Sequence, residues 1–248
     1  MKTSDLTHYL QGLLKPELVK DYCPNGLQVE GKAEIKTIVT GVTACMALIE
    51  RAQILQADAI LVHHGYFWRG EKESITGMKQ RRIKQLLLND MNLFAYHLPL
   101  DIHPEFGNNV QLGKELGLIL ERTAGDNGLL AIGMVPLNMT LQSFATHLHR
   151  VLNRSPMVIG DMTKNIRRIA WCTGAAQGYM NQVLNDDVDV FLSGEISEQT
   201  VHLARETGVA YVAAGHHATE RYGIQALGEH LEQAFGLQHY FVDVENPV

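Results

Sequence analysis

Thiols are scarce in this chain. Cys23, Cys45 and Cys172 are its three cysteines, far apart in sequence and without a CxxC pair. That speaks against a disulfide framework or a zinc ribbon and fits a reducing compartment. Basic charge is short as well: 21 Lys+Arg face 27 Asp+Glu, a net charge of -6, which disfavours a general nucleic-acid or membrane-surface binder. No apolar run approaches the ~20 residues of a membrane span. The first turns of the chain are broken by Asp5, His8, Lys15 and Glu17, unlike a signal peptide. They read instead as an amphipathic helix capped by Ser4, with Leu6, Tyr9, Leu10, Leu13 and Leu14 on one face. Neither Gly-turn, after Thr40 or after Thr173, continues into Gly-Lys-Ser/Thr, so a P-loop is absent. There is no Gly-x-Ser-x-Gly elbow and no cysteine with an evident histidine partner, which disfavours covalent nucleophilic catalysis. A soluble, cytoplasmic protein with no membrane partner is the expectation.

What is present is an ordinary globular composition over 248 residues, 46% hydrophobic and 19% charged, enough for one large domain or two small ones. Short apolar runs at 36–42, 59–63, 92–96, 129–135, 168–173, 188–193, 209–213 and 240–244 predict strands. Several are continuously apolar, as in strands buried on both faces. Helical periodicity falls at 44–55, 78–88, 145–152, 179–184, 198–206 and 221–235. This alternation predicts an α/β fold of layered sheets with helices packed on them. The glycine-bearing stretch 120–138 is the best link between halves, which places lobes at 1–125 and 126–248.

The halves read as related. KTIVTGVTA, a helix and ADAILVHHG in the first match RRIAWCTGAA, a helix and VDVFLSGE in the second. Setting Gly41 against Gly174 leaves 17 positions to Asp58 and 15 to Asp189. Aligning Asp58 with Asp189 sets His64 opposite Glu195. Each half ends a later strand in a matched pair, His97-x3-Asp101 and His216-x3-Glu220.

Those strand ends gather the chain's most unusual residue, histidine, of which there are 12. Ligands of open α/β sheets bind at the carboxyl ends of strands, where His63-His64 falls. Neighbouring strand residues point to opposite faces. The pair therefore serves one ion only if the strand ends there at Gly65, or each ring serves its own ion. Pro99 is expected to hold Leu98 extended, so His97 and Asp101 read as a strand-to-loop arm rather than a helical turn. Two readings stand for His97, a donor on that arm or a satisfied core side chain, while His103 and Glu105 read as surface loop. His216 and Glu220, at i and i+4 of a helix that opens there, form a chelating pair. Imidazole and carboxylate without thiolate suit zinc, manganese, iron or nickel. Five such donors exceed the needs of one open zinc site and suit two ions, with vacancies left for chemistry.

Asn25-Gly26-Leu27-Gln28-Val29, Val62-His63-His64-Gly65, His97-x3-Asp101, Ser193-Gly194-Glu195 and Gly215-His216-x3-Glu220 resemble, in order, the motifs of the NIF-three-like dinuclear metal family. Over nearly the whole chain the pattern is similar to its bacterial YbgI branch, homologues of the type 2 form of GTP cyclohydrolase 1. The resemblance implies two duplicated α/β lobes with two divalent metal ions between them, and a toroidal homohexamer. It implies His63, His64, Asp101, His216 and Glu220 as ligands, with His97 and Glu195 beside the metals in supporting or proton-transfer roles. Thr173-Gly174-Ala175-Ala176-Gln177 is less glycine-rich than that branch.

Two functions follow as expectations. One is a metal-dependent hydrolase, an enzyme using metal-activated water on a nucleotide or related heterocycle or phosphoester. The other is a non-enzymatic, ring-shaped metal-binding scaffold or polyanion-binding assembly, for which Lys79, Arg81, Arg82 and Lys84 supply a basic run. A solvated helix face is the plainer reading of that run. Tyr66-Phe67-Trp68-Arg69 either stacks on a base or packs a subunit contact.

Overall fold

The computed structural model describes residues 1–248. Each of its two compact units is built on one mixed sheet: Met1–Phe106 with Ile224–Val244, and Gly107–Gly223 with Glu245–Val248. A division at 125/126 would cut a paired hairpin of the second unit. No helix is long and apolar enough to cross a membrane.

In the first unit, α1 (Thr3–Leu14) leads to β1 (Gly26–Val29), β2 (Thr37–Thr43), α2 (Met46–Ile54), β3 (Ala59–His64), α3 (Gly77–Leu88), β4 (Asn92–Ala95) and α4 (Leu98–Asp101). The sheet order is β1-β4-β3-β2-β11, where β11 is Gln238–Phe241. Only the β1–β4 pairing is antiparallel. Central β3 shows why its sequence is continuously apolar. Ala59 and Leu61 enter a core shared with Leu6, Leu10 and Leu14 of α1, while Ile60 and Val62 enter a second with α2 and α3. Ser4 does not cap α1; the N-cap position is Lys2, two residues earlier, and Oγ1 of the first helical residue, Thr3, donates to the Lys32 carbonyl.

The second unit holds α5 (Asn108–Glu115), β5 (Ile119–Ala124), β6 (Leu130–Thr140), α6 (Leu141–Leu152), β7 (Met157–Ile159), β8 (Asn165–Trp171), β9 (Val190–Ser193), α7 (Glu198–Thr207), β10 (Ala210–Ala213) and the first turns of α8 (His216–Phe235). Its sheet order is β5-β6-β8-β9-β10-β7, parallel through β8-β9-β10. The expected link at 120–138 is the antiparallel β5–β6 pair. Its Gly133 marks a close approach, since a Cβ there would overlap the Ile119 carbonyl. The helix expected at 179–184 is a 3-10 turn, Gln177–Gln182. α6 follows its pattern: Thr140 caps it by accepting from Ser143 N at 3.2 Å, and Leu141, Phe144, Leu148 and Leu152 are buried.

One polar device occurs in both units. Asp58 Oδ2 accepts from Lys36 N at 2.9 Å and Thr37 N at 3.0 Å, and Asp58 N donates to the Thr37 carbonyl. Asp189 Oδ2 accepts from Arg167 N at 2.9 Å and Arg168 N at 3.0 Å, and Asp189 N donates to the Arg168 carbonyl. This sets Thr37 against Arg168 and therefore Gly41 against Cys172, not Gly174, while keeping His64 opposite Glu195. Burial opposes ionisation of Asp58, but Lys32 and the two backbone N–H groups hold its carboxyl below the usual range. Asp58→Ala and Asp189→Ala are each expected to cost about 1–3 kcal/mol by urea unfolding, because two strand N–H groups lose their acceptor. The Asp58 variant should lose more, its side chain being 12% exposed against 29%.

Candidate metal centre

In the first unit the strand ends deliver a histidine cluster. β3 stops at His64, so the two adjacent rings escape strict alternation and lie with centroids 4.5 Å apart. His63 is fully buried, and its Nδ1–H donates to the Tyr96 carbonyl at 3.0 Å. His64 Nδ1 meets Thr43 Oγ1 at 3.1 Å. Donor atoms of His63, His64 and His97 all lie within 4.8 Å of one another.

Leu98–Asp101 is a helical turn, against the extended arm expected from Pro99. A proline is tolerated in a first turn because its missing N–H would find no intrahelical acceptor there. The Leu98 N–H instead donates to Asp21 Oδ2 at 3.0 Å, and Asp101 N reaches back to the His97 carbonyl. The turn places Asp101 Oδ1 3.5 Å from His63 Nε2.

Asp21 was not foreseen from the sequence. It lies 76 residues from His97 and accepts the His97 Nδ1–H at 2.9 Å, while Asn25 Oδ1 accepts the His97 backbone N–H at 2.7 Å. The only local signal is Asp21-x3-Asn25 at the head of the Asn25-Gly26 motif. Burial would raise the Asp21 carboxyl, but hydrogen bonds from His97 and Asn25 hold it far below the usual carboxylate range. Cys23 lies close to both, yet burial and the neighbouring Asp21 charge push its thiol up to about 12. It is no thiolate donor at neutral pH.

In the second unit His216 opens α8 and Glu220 follows one turn later, as expected, with Glu220 Oε2 3.0 Å from His216 Nε2. The His216 Nδ1–H donates to Glu195 Oε1 at 2.7 Å. Burial opposes a charged His216 ring, but Glu220 and then Glu195 outweigh it and push its pKa up to about 9. Gly174 anchors this corner: its N–H donates to Thr219 Oγ1, and its carbonyl accepts from Gly194 N and Glu195 N.

The family description Duf34/NIF3 (NGG1p interacting factor 3) matches residues 1–247. The chain belongs to the Duf34/NIF3 family. A Pseudomonas aeruginosa member named GTP cyclohydrolase 1 type 2 homolog is 53% identical over 232 residues, covering 92% of each chain. The solved structure of protein ybgI, of unknown function, superposes over all of both chains with a TM-score of 0.97 at 46% identity. TTHA1606 from Thermus thermophilus matches over all of both chains with a TM-score of 0.90 at 35% identity.

The residues of this Duf34/NIF3 chain fit divalent metal. Two donors each ~2.1 Å from a tetrahedral ion lie ~3.4 Å apart, close to the 3.5 Å between His63 Nε2 and Asp101 Oδ1. Asp101 and Glu220 are buried at 6% and 3% exposure, a costly place for carboxylates without a cation. The carboxylates that favour a proton on His216 would favour a cation at the same place. Two other histidines are engaged away from this cluster: His103 Nδ1 accepts from Glu105 N and Phe106 N, and His239 Nε2 lies 2.7 Å from Thr40 Oγ1.

Proposed function

We propose that this protein is a metal-dependent hydrolase holding two divalent ions through His63, His64, Asp101, His216 and Glu220. The observation that carries this reading is orientation. His63, His64, His97 and His216 each engage Nδ1 with an oxygen of Tyr96, Thr43, Asp21 or Glu195. Such contacts fix the ring of a ligating histidine and present Nε2. When bound, divalent ions supply Lewis acidity and acidify water near neutral pH. His97, its Nδ1 proton fixed on Asp21, has Nε2 left to take or give a proton. Glu195 acts through the His216 ring as a positioning group, and it is also the second candidate for moving the proton. The recurring aspartate device supports an origin of the two halves by duplication. The substrate class is a nucleotide or related heterocycle or phosphoester, suggested by the name of the P. aeruginosa relative.

A toroidal homohexamer belongs to the same proposal and is checked by light scattering. The scaffold reading has less behind it, since Lys79 of the basic run is already paired with Glu71 at 3.4 Å and lies over Phe67. Bound metal per chain should be counted for wild type and His64→Ala, and both screened against nucleotides, phosphoesters and cyclic amides. The expected result is metal-dependent turnover that His64→Ala abolishes. Metal retained with no turnover on any substrate would favour the scaffold, and a metal-free wild type would overturn both.

A further inference from the structure

The loop after β3 is built more firmly than a surface loop requires. Phe67 sits at φ +66°, a left-handed conformation costing roughly 1–2 kcal/mol in a residue with a side chain. Glu71 Oε2 holds it there by accepting from Phe67 N at 3.0 Å and Trp68 N at 3.2 Å. Arg69 then straps the loop to the segment before β1: its backbone N donates to the Tyr22 carbonyl at 2.8 Å and its Nη2 to the Asp21 carbonyl at 3.2 Å. Trp68 Nε1 donates to the Gly65 carbonyl at 3.1 Å, so the N–H is already engaged and the half-buried indole is held in place.

These straps bring two aromatics to the histidine cluster. Trp68 and Tyr22 each meet the His97 ring edge to face, with centroids 5.0 Å away. Trp68 also lies 5.9 Å from the His64 ring, and Tyr22 is 51% exposed. Tyr22 and Trp68 are 5.6 Å apart and inclined by 40°. A ring clamped between two aromatics needs roughly twice the ~3.5–4.0 Å contact distance between carbons, so nothing fits between them. They stand side by side as inclined neighbours, and a planar ligand would stack on one of them with the other beside it.

We propose that Tyr22 and Trp68 are a stacking wall that receives the planar ring of a nucleobase-like heterocycle beside His97. This rests on reading the histidine cluster as the reaction site, and it makes the heterocycle, rather than a phosphoester in general, the recognised part of the substrate. Every base offers a π face, so the wall selects for planarity and aromaticity more than for one base.

A change of tryptophan emission on ligand binding reports on Trp68, because the only other tryptophan, Trp171, is fully buried and contributes a constant background. The full-length protein, metal-loaded and metal-stripped, is titrated with GMP, AMP and ribose 5-phosphate while Trp68 fluorescence and binding heat are read. Both nucleotides should quench the emission and bind about tenfold or more tighter than ribose 5-phosphate. Trp68→Ala should weaken GMP about tenfold, Trp68→Phe about threefold at most, with unfolding curves confirming that both variants fold. Equal binding of ribose 5-phosphate, undiminished affinity in Trp68→Ala or no nucleotide binding overturns the wall. So does Trp68 emission that answers to protein concentration and not to nucleotide, the sign of a subunit contact. Base binding retained by a protein with no metal-dependent turnover would strike the hydrolase reading and leave the wall standing.

Discussion

Stripped of metal, the protein is expected to lose at most about 3 kcal/mol of unfolding free energy as pH rises from about 6 to 9. The cause is His216, whose pKa stands at about 9 against an ordinary 6.5 because Glu220 and Glu195 outweigh the effect of burial. A histidine raised in the folded state stabilises fully below its unfolded pKa. That contribution is lost as pH climbs through the folded value, so the window lies between about 6.5 and 9 and the slope is downward. Glu220→Gln removes the largest raising influence and should flatten most of that slope, as urea midpoints across the range would show. The same proton competes with metal, since an imidazole must be neutral to ligate. An ion bound through His216 at pH 7 should therefore expel about one proton, measurable by calorimetry in two buffers of different ionisation enthalpy. A wild-type slope identical to that of Glu220→Gln would refute the assignment.

The histidine-bearing strands were legible because burial leaves a pattern. Residues 59–62 are continuously apolar and fully buried, and strand-end placement followed from that run. The missed strands leave no such pattern. β5 is exposed along five of its six residues, β7 has three residues, and β1 is a short edge strand opening on a glycine. The strand expected at 129–135 stops short of Pro136, and Gly133 and Pro136 make the stretch around it read as a link; the glycine admits a neighbouring backbone and Pro136 lies at an irregularity in the ladder between Met134 and Met139.

At the site the division is similar. His216 and Glu220 were legible because helical spacing is local. His97 and Asp101 were legible as a pair but not as a turn, because what fixes that turn is Asp21, far back in the chain. Aspartate on the Nδ1 of His97 is a long-range fact with almost no short-range signature. Glu195 was found through its place opposite His64, and its contact with His216 Nδ1 gives that alignment a physical role.

Gly174→Ala is expected to lower metal affinity about 10–100-fold, the usual consequence of disturbing the groups that hold a ligand. Gly174 has φ +68°, and an added Cβ would overlap Glu220 Oε1 and lie 3.2 Å from His216 Nε2. Left-handed backbone alone costs alanine roughly 1–2 kcal/mol, so a stability loss by itself would prove little. Gly208→Ala separates the two effects. Gly208 ends α7 at φ +75°, and nothing lies within 4 Å of its added Cβ. Both variants should unfold at lower urea concentration, but only Gly174→Ala should release metal and, in the metal-free protein, move the His216 titration seen by NMR below about 9. Equal metal retention by the two variants would mean that the Glu220 carboxylate can yield without loss. Its place beside His216 would then not be what holds the ion.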